Sequence, residues 1–229
     1  MYISEKKGGD TMGYGVKVEV YGDYGLFSRP EFKVERVSYD IITPSAARGI
    51  LEGIYWKPAI RYVIDKIHVY NEPKFTNIRR NEVDIKILSS DMKKLMNGSN
   101  ARNYINTKEV IQQRASMVLT DIRYIIEAHF EMTDKAGETD TPEKHYNIIL
   151  RRLRKGQMFH QPCFGCREFP ANFRIVEEEI PKSNLVGEKD LGFMLYDLDF
   201  TDPNNITPMF FRAKWNNGIV DLTDIEIVR

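Results

Sequence analysis

Two cysteines, Cys163 and Cys166, are all the thiols in this 229-residue chain, too few for a disulfide scaffold and suited to a reducing compartment. No stretch approaches the roughly 18 uncharged apolar residues of a membrane span. The N-terminus, with Glu5, Lys6, Lys7, Gly8, Gly9 and Asp10, lacks the apolar centre of a signal peptide. A cytoplasmic protein is therefore expected. Internal repeats, low-complexity segments and a clear linker are also missing. So is net charge: 33 Lys and Arg balance 33 Asp and Glu, which at first sight argues against a nucleic-acid partner. What is present is an apolar content of 42% with 11% aromatics, enough for a sizeable core. Residues 1–11 are expected to form a flexible leader, 12–172 the main domain and 173–229 a small β-rich C-terminal part.

The zero net charge conceals an uneven distribution. Residues 143–174 hold seven Lys and Arg against two Glu, whereas residues 175–229 hold five against eleven Asp and Glu. Taken alone, Arg151, Arg152, Arg154 and Lys155 read as a solvated helix end, where the dipole favours cations. Their neighbours give the basic segment a second reading. Thr141 reads as an N-cap and Pro142 as the first helical residue, which puts Lys144 and His145 in the first turn. Free backbone N–H groups and the positive dipole end favour an anion there, so two cationizable side chains at that end make most sense with an external phosphate as partner.

The pattern of apolar residues predicts an α+β fold. Val16, Val18 and Val20 alternate with Lys17, Glu19 and Tyr21, the period of a half-buried strand, and Gly22-Asp-Tyr-Gly25 is expected to break it. Thr43-Pro44 opens a helix whose stripe is Ala47, Ile50, Leu51 and Ile54, ending before Pro58. Strands are expected over Ala59–Tyr70, Phe75–Ile87 and Arg114–Met132, the last as one long strand or two, with a short helix over Ser90–Met96. The basic helix, Pro142–Lys155, ends at Gly156. Acidic strands follow at Leu191–Leu198, Met209–Trp215 and Ile219–Val220. Strand, helix, strands and helix in this order make a split βαβ pattern, an RRM/ferredoxin-like domain with a small β-rich C-terminal extension.

Six motifs in order, Gly22-Asp-Tyr-Gly-Leu-Phe27, Thr43-Pro-Ser-Ala-Ala-Arg-Gly-Ile-Leu-Glu-Gly-Ile-Tyr-Trp-Lys-Pro58, Asn77-Ile-Arg-Arg-Asn81, Ala128-His-Phe130, Lys144-His145 and Gly165-Cys-Arg-Glu-Phe-Pro170, resemble the CRISPR-associated Cas5 family in its type I-C (Dvulg subtype) branch. The resemblance spans about residues 14–175. It implies a metal-independent endoribonuclease that cleaves precursor CRISPR RNA within its repeats and stays on the mature guide as a subunit of the type I-C interference complex (Cascade). The implied partners are the repeat hairpin, the other Cascade subunits and, within the complex, target DNA. No cofactor and no membrane partner are implied.

Tyr55, Lys144 and His145 match the family's catalytic pattern. The chemistry suits them, because RNA carries its own nucleophile in the ribose 2′-hydroxyl. Cleavage then needs a base for that hydroxyl, a cation for the phosphorane and a proton for the leaving 5′-oxygen. The helix dipole is expected to lower the pKa of His145, and the ordinary phenol pKa near 10 suits Tyr55 to an orienting or general-acid role; which residue is acid and which base stays open. The candidate RNA-contacting set is Arg48, Lys57, Arg79, Arg80, Arg151, Arg152, Lys155, Phe159 and Arg167. In the loop after Gly156, Gly165 is expected to allow close backbone approach and Phe159 or Phe164 to stack on a base. His160, Cys163 and Cys166 supply three ligand types where structural zinc needs four, so no metal site is expected. His129 reads as a hydrogen-bonded interior residue, and His68 as projecting from the polar face of its strand. The alternative to the enzyme is a non-catalytic scaffold that binds RNA and caps the 5′ end of the guide.

Overall fold

The structure, a computed structural model, describes residues 3–4, 13–32, 34–99 and 104–229. In chain order its elements are β1 (Ile3–Ser4), β2 (Gly13–Gly25), β3 (Arg36–Val37), α1 (Pro44–Ile54), β4 (Ile60–Val69), β5 (Lys74–Val83), α2 (Ser89–Met96) and α3 (Thr107–Val110). They continue with β6 (Ile111–Met132), α4 (Pro142–Arg154), β7 (Asn172–Ile175), β8 (Glu188–Asp199), β9 (Thr207–Asn216) and β10 (Ile219–Asp221). The expected leader over residues 1–11 lies outside the described residues except at Ile3–Ser4, which pairs with Gly13 and Tyr14. Among the described residues no helix is long and apolar enough to cross a membrane.

The strands join in one curled, mainly antiparallel sheet built around the 22-residue β6. Residues Leu119–His129 of β6 pair with β2 along one edge. On the other edge β4 and β5 take turns, β4 against Tyr124–Met132 and β5 against Ile111–Thr120. The change of partner coincides with Asp121, whose φ of 54° lies in the left-handed region and bends the strand. Arg36–Val37 adds a short parallel contact at Ser116–Met117. Beyond β4 the sheet continues through β10, β9 and β8, so the C-terminal strands extend the main sheet, while β7 returns to β2.

Two expectations change. Gly22-Asp-Tyr-Gly25 does not end β2, which stays paired to β6 as far as Gly25. The glycines there serve packing: a Cβ on Gly22 would lie 2.9 Å from the Phe164 ring. His68 is buried and bonded at 2.5 Å to Glu127, not exposed on a polar face. The alternation in β4 is interrupted by a register shift between Ile64 and Lys66, a bulge that buries Asp65 against His129 Nδ1 at 2.9 and 3.0 Å. His129 is thus the bonded interior residue the sequence suggests.

Both helices that bear on the site begin as the Thr-Pro pairs require. Thr43 accepts from the backbone N–H of Ala46, and Thr141 from that of Lys144, each at 3.2 Å. Helix α1 buries Ala47, Ile50, Leu51 and Ile54. Its Arg48 forms a two-pronged ion pair with the buried Asp197 of β8, clamping helix to C-terminal strands. Removing one partner of such a pair leaves the other charge buried and uncompensated. Asp197→Ala is therefore expected to cost about 3 kcal/mol, a fall in Tm of roughly 6–12 °C by thermal denaturation.

Candidate active site

The apolar stripe of α4 is His145, Ile149 and Leu153, at i, i+4 and i+8. His145 thus sits where a core residue would, and it is only 1% exposed. One residue past α1, Tyr55 leaves the helix with extended backbone (φ −153°, ψ 125°), which turns its ring under α4. Its carbonyl accepts from the Tyr62 hydroxyl at 2.9 Å, fixing the turn. The two elements meet at a hydrogen bond of 2.8 Å between Tyr55 Oη and His145 Nδ1. Phe130 packs edge-on to the imidazole.

The other ring nitrogen, Nε2, is buried with no hydrogen-bond partner and stands 3.3 Å from Asp140 Oδ1. The same carboxylate oxygen accepts from Lys144 Nζ at 2.9 Å. Lys144 also donates to the carbonyl of Thr139 at 3.1 Å. A single anionic oxygen of Asp140 is therefore bonded to the ammonium and faces the imidazole. The carboxylate favours the tautomer protonated on Nε2, which leaves Nδ1 to accept from the Tyr55 hydroxyl.

Burial lowers the pKa of His145, and Asp140 partly opposes that shift. The shift has the direction expected from the sequence, and desolvation of the imidazolium is its largest cause. Burial also raises the pKa of Tyr55, so it remains a phenol and a proton donor, with Arg152 working in the other direction. Arg152 lies with its guanidinium 5.4 Å from the Tyr55 ring centre and donates to the carbonyl of Ile54 at 2.7 Å. Lys144 holds Asp140 below the usual carboxylate range.

The structure brings Tyr55, Lys144 and His145 together and sorts the other candidates into three places. Arg152 forms part of the site, Lys57 and Arg151 are exposed residues beside Tyr55 and Arg152 in the chain, and Lys155 caps α4. Gly156, at φ 61°, and Gln157 close that helix by donating to Leu153 and Arg152. Phe159, 71% exposed, stands on the loop that follows, where backbone N–H groups of Phe159 and His160 both donate to the carbonyl of Gly53. Arg79, Arg80 and Arg167 belong to a second region, formed by β5 and the turn 165–169. Arg48 is committed to Asp197 and Glu52.

Two readings of the loop are corrected. Phe164 is fully buried among Phe27 and Tyr124, a plug in the core that cannot stack on a base. Gly165 does allow close approach, but to the protein itself: at φ 82°, a Cβ there would lie 1.9 Å from the carbonyl oxygen of Leu26. The residue that sequence reasoning passed over is Asp140. Its signal was present, an acid immediately before the Thr141 cap and four residues ahead of Lys144. Among the described residues no group of three or more His, Cys, Asp or Glu side chains could hold a metal ion.

A family model described as CRISPR-associated protein (Cas_Cas5) matches residues 15–223. The chain is 48% identical over 213 residues to a protein of Mannheimia succiniciproducens named CRISPR pre-crRNA endoribonuclease Cas5d, covering 90% of this chain and 94% of that one. A Thermus thermophilus protein of the same name is 39% identical over 224 residues, with 90% of both chains covered. Among solved structures, one described as a CRISPR-associated protein superposes with a TM-score of 0.67 at 22% identity, covering 94% of this chain and 96% of the other, a likeness of fold. With a family match over nearly its whole length and two relatives of this identity, the chain belongs to the CRISPR-associated Cas5 family, in the type I-C (Cas5d) branch.

Proposed function

We propose that this protein is an endoribonuclease that cuts precursor CRISPR RNA within its repeats and then remains with the guide as a subunit of the type I-C interference complex. The observation that supports it best is the 2.8 Å bond between Tyr55 and His145, beside a lysine tied to the same carboxylate as the imidazole. A buried imidazole at a helix start, bonded to a phenol and facing an anion, is an arrangement for moving protons next to a phosphate. The names of the two relatives point the same way.

In the reaction we propose, the scissile phosphate takes the place of the Asp140 carboxylate against Lys144 and His145. The 2′-oxygen attacks phosphorus and the bond to the 5′-oxygen breaks, leaving a 2′,3′-cyclic phosphate and a 5′-hydroxyl. His145 gives the proton on Nε2 to the leaving oxygen. Tyr55 passes its own proton to Nδ1 as its oxygen takes the one from the 2′-hydroxyl. Lys144 meets the charge that develops on phosphorus. The substrate brings its nucleophile and Lys144 the countercharge, so the reaction is proposed to proceed without a metal. Exposed Lys57, Arg151, Lys155 and Phe159 would carry the flanking RNA, with the repeat hairpin read by shape.

We also read the strands β7, β2, β6 and β4 as an RRM/ferredoxin-like core. Their chain order with the helices, β2-α1-β4-β6-α4-β7, is a split βαβ, and their pairing is antiparallel throughout.

With labelled repeat RNA in excess EDTA, wild-type protein should cleave. Tyr55→Phe and His145→Ala should each lose about 10²–10⁴-fold in single-turnover rate while still binding. Intact RNA throughout would support the non-catalytic scaffold instead. Lys144→Ala should lose about 10²–10³-fold in rate and only a few-fold in affinity, since one phosphate contact among several contributes little; a collapse in affinity would make it mainly a binding residue.

The pH profile tests the state of the imidazole. Its pKa is lowered in the folded protein, so the neutral form persists below the ordinary imidazole range and the acid limb of the rate should lie below pH of about 6.5. Asp140 raises that pKa in the free enzyme, so Asp140→Asn should move the acid limb of kcat/KM to lower pH still. A limb unmoved by the substitution, or one moved upward, would contradict the assignment.

A further inference from the structure

A cavity of about 280 Å³ lies away from the Tyr55–His145 pair, between the sheet and the turn 165–169. Its floor is one face of three adjacent strands: Arg36, Ser116 and Ile78 stand in a single cross-strand row, with Arg80 and Val118 two residues along on the same face. Its roof is the turn held down where Gly165 meets the Leu26 carbonyl. The wall is apolar and aromatic, from Leu26, Ile78, Val118 and Phe169. At the rim Arg80 pairs with Glu168 and lies 5.5 Å over the ring of Phe169. Arg36, on the floor, is locked by two bonds of 2.6 and 3.1 Å to Glu82.

A slot with an aromatic wall, apolar sides and charged groups at one edge fits a planar, polar-edged ligand, and its volume is at the small end of ligand sites. In a protein that handles RNA such a ligand is a base turned out of its stack. The two rim charges narrow the choice. A carboxylate accepts best from two donors side by side, and among the four RNA bases only guanine presents a ring N–H next to an exocyclic amine. The same base carries O6 and N7, which suit a guanidinium. In the empty cavity Arg80 and Glu168 satisfy one another. A guanine edge between them would satisfy both.

We propose that this cavity is a guanine-binding subsite for an unstacked nucleotide of the RNA, with Glu168 accepting from N1–H and the 2-amino group, Arg80 donating to the opposite edge, and Phe169 forming part of the apolar wall. The proposal rests on the reading of the protein as an RNA-processing enzyme, which it extends from a catalytic site to a base-specific one.

Titrating the 15N-labelled full chain with GMP, AMP, CMP and UMP tests it. GMP should perturb amides of residues 165–169, Ile78, Arg80 and Ser116 with a Kd in the millimolar range, at least five-fold tighter than AMP, CMP or UMP. Inosine monophosphate, which lacks the 2-amino group, should bind several-fold more weakly than GMP. Glu168→Gln, at an exposed position, should lose the preference for GMP over AMP, the spectrum of the variant reporting that it is folded. Equal responses to all four nucleotides, or GMP shifts elsewhere only, would overturn the proposal. Cleavage of repeat RNA by the same preparation reports separately on Tyr55 and His145, so failure of the subsite and failure of the enzyme reading give different results.

Discussion

The hydrogen bond between the Tyr55 phenol and the His145 imidazole joins the end of one helix to the start of the other, and the site is built outward from it. It exists because each helix begins at a Thr-Pro pair and carries an apolar stripe that must face the sheet. Helix α4 spends a position of that stripe on a histidine, which puts the imidazole in a low-dielectric environment. There its neutral form is favoured, one nitrogen is engaged, and the other faces the Asp140 carboxylate that also holds Lys144. An imidazole on the surface at the same sequence position would be an ordinary titrating histidine.

The frame that fixes the distance between the helices is β6. A strand of 22 residues cannot stay flat, and it bends at Asp121 and passes from β5 to β4 along one edge. Its C-terminal half carries Phe130 beneath His145, and its N-terminal half forms the floor of the Arg36–Arg80 cavity. The two regions rich in candidate RNA contacts therefore lie on successive halves of one strand. The acidic C-terminal strands answer part of the basic charge, Asp197 against Arg48 among them. What the even net charge conceals is a division of labour: some cations lock the fold, while Lys57, Arg151 and Lys155 stand exposed beside the site.

Much of this was legible in the chain. The valine alternation of β2, the capped helices, the C-terminal glycine of α4 and the pairing of Lys144 with His145 in one helical turn all follow from local chemistry, and the structure has them. The short strands β3 and β7 were not legible: unlike β10, which follows β9 across Asn217-Gly218, they pair only with strands far away in the chain. Nor was the continuation of β2 through Gly22 and Gly25, because those glycines answer to the bulk of Phe164 across the sheet. His68 reads as exposed by alternation and is buried by its bond to Glu127. Asp65 is turned inward by a bulge that a period-2 reading does not foresee.

By itself, then, the sequence determined which residues could do acid–base and phosphate chemistry, and where each helix starts and stops, because caps, prolines and apolar spacing act within a few residues. Only the tertiary structure decided which of them meet. Tyr55 and His145 are separated by 90 positions, and their contact depends on how α1 and α4 dock on β6. Burial lowers the imidazole's proton affinity, with Asp140 acting against it. Arg48 became a structural clamp and Arg152 a neighbour of the phenol for the same reason: desolvation and partner geometry are properties of the packed chain, not of any segment of it.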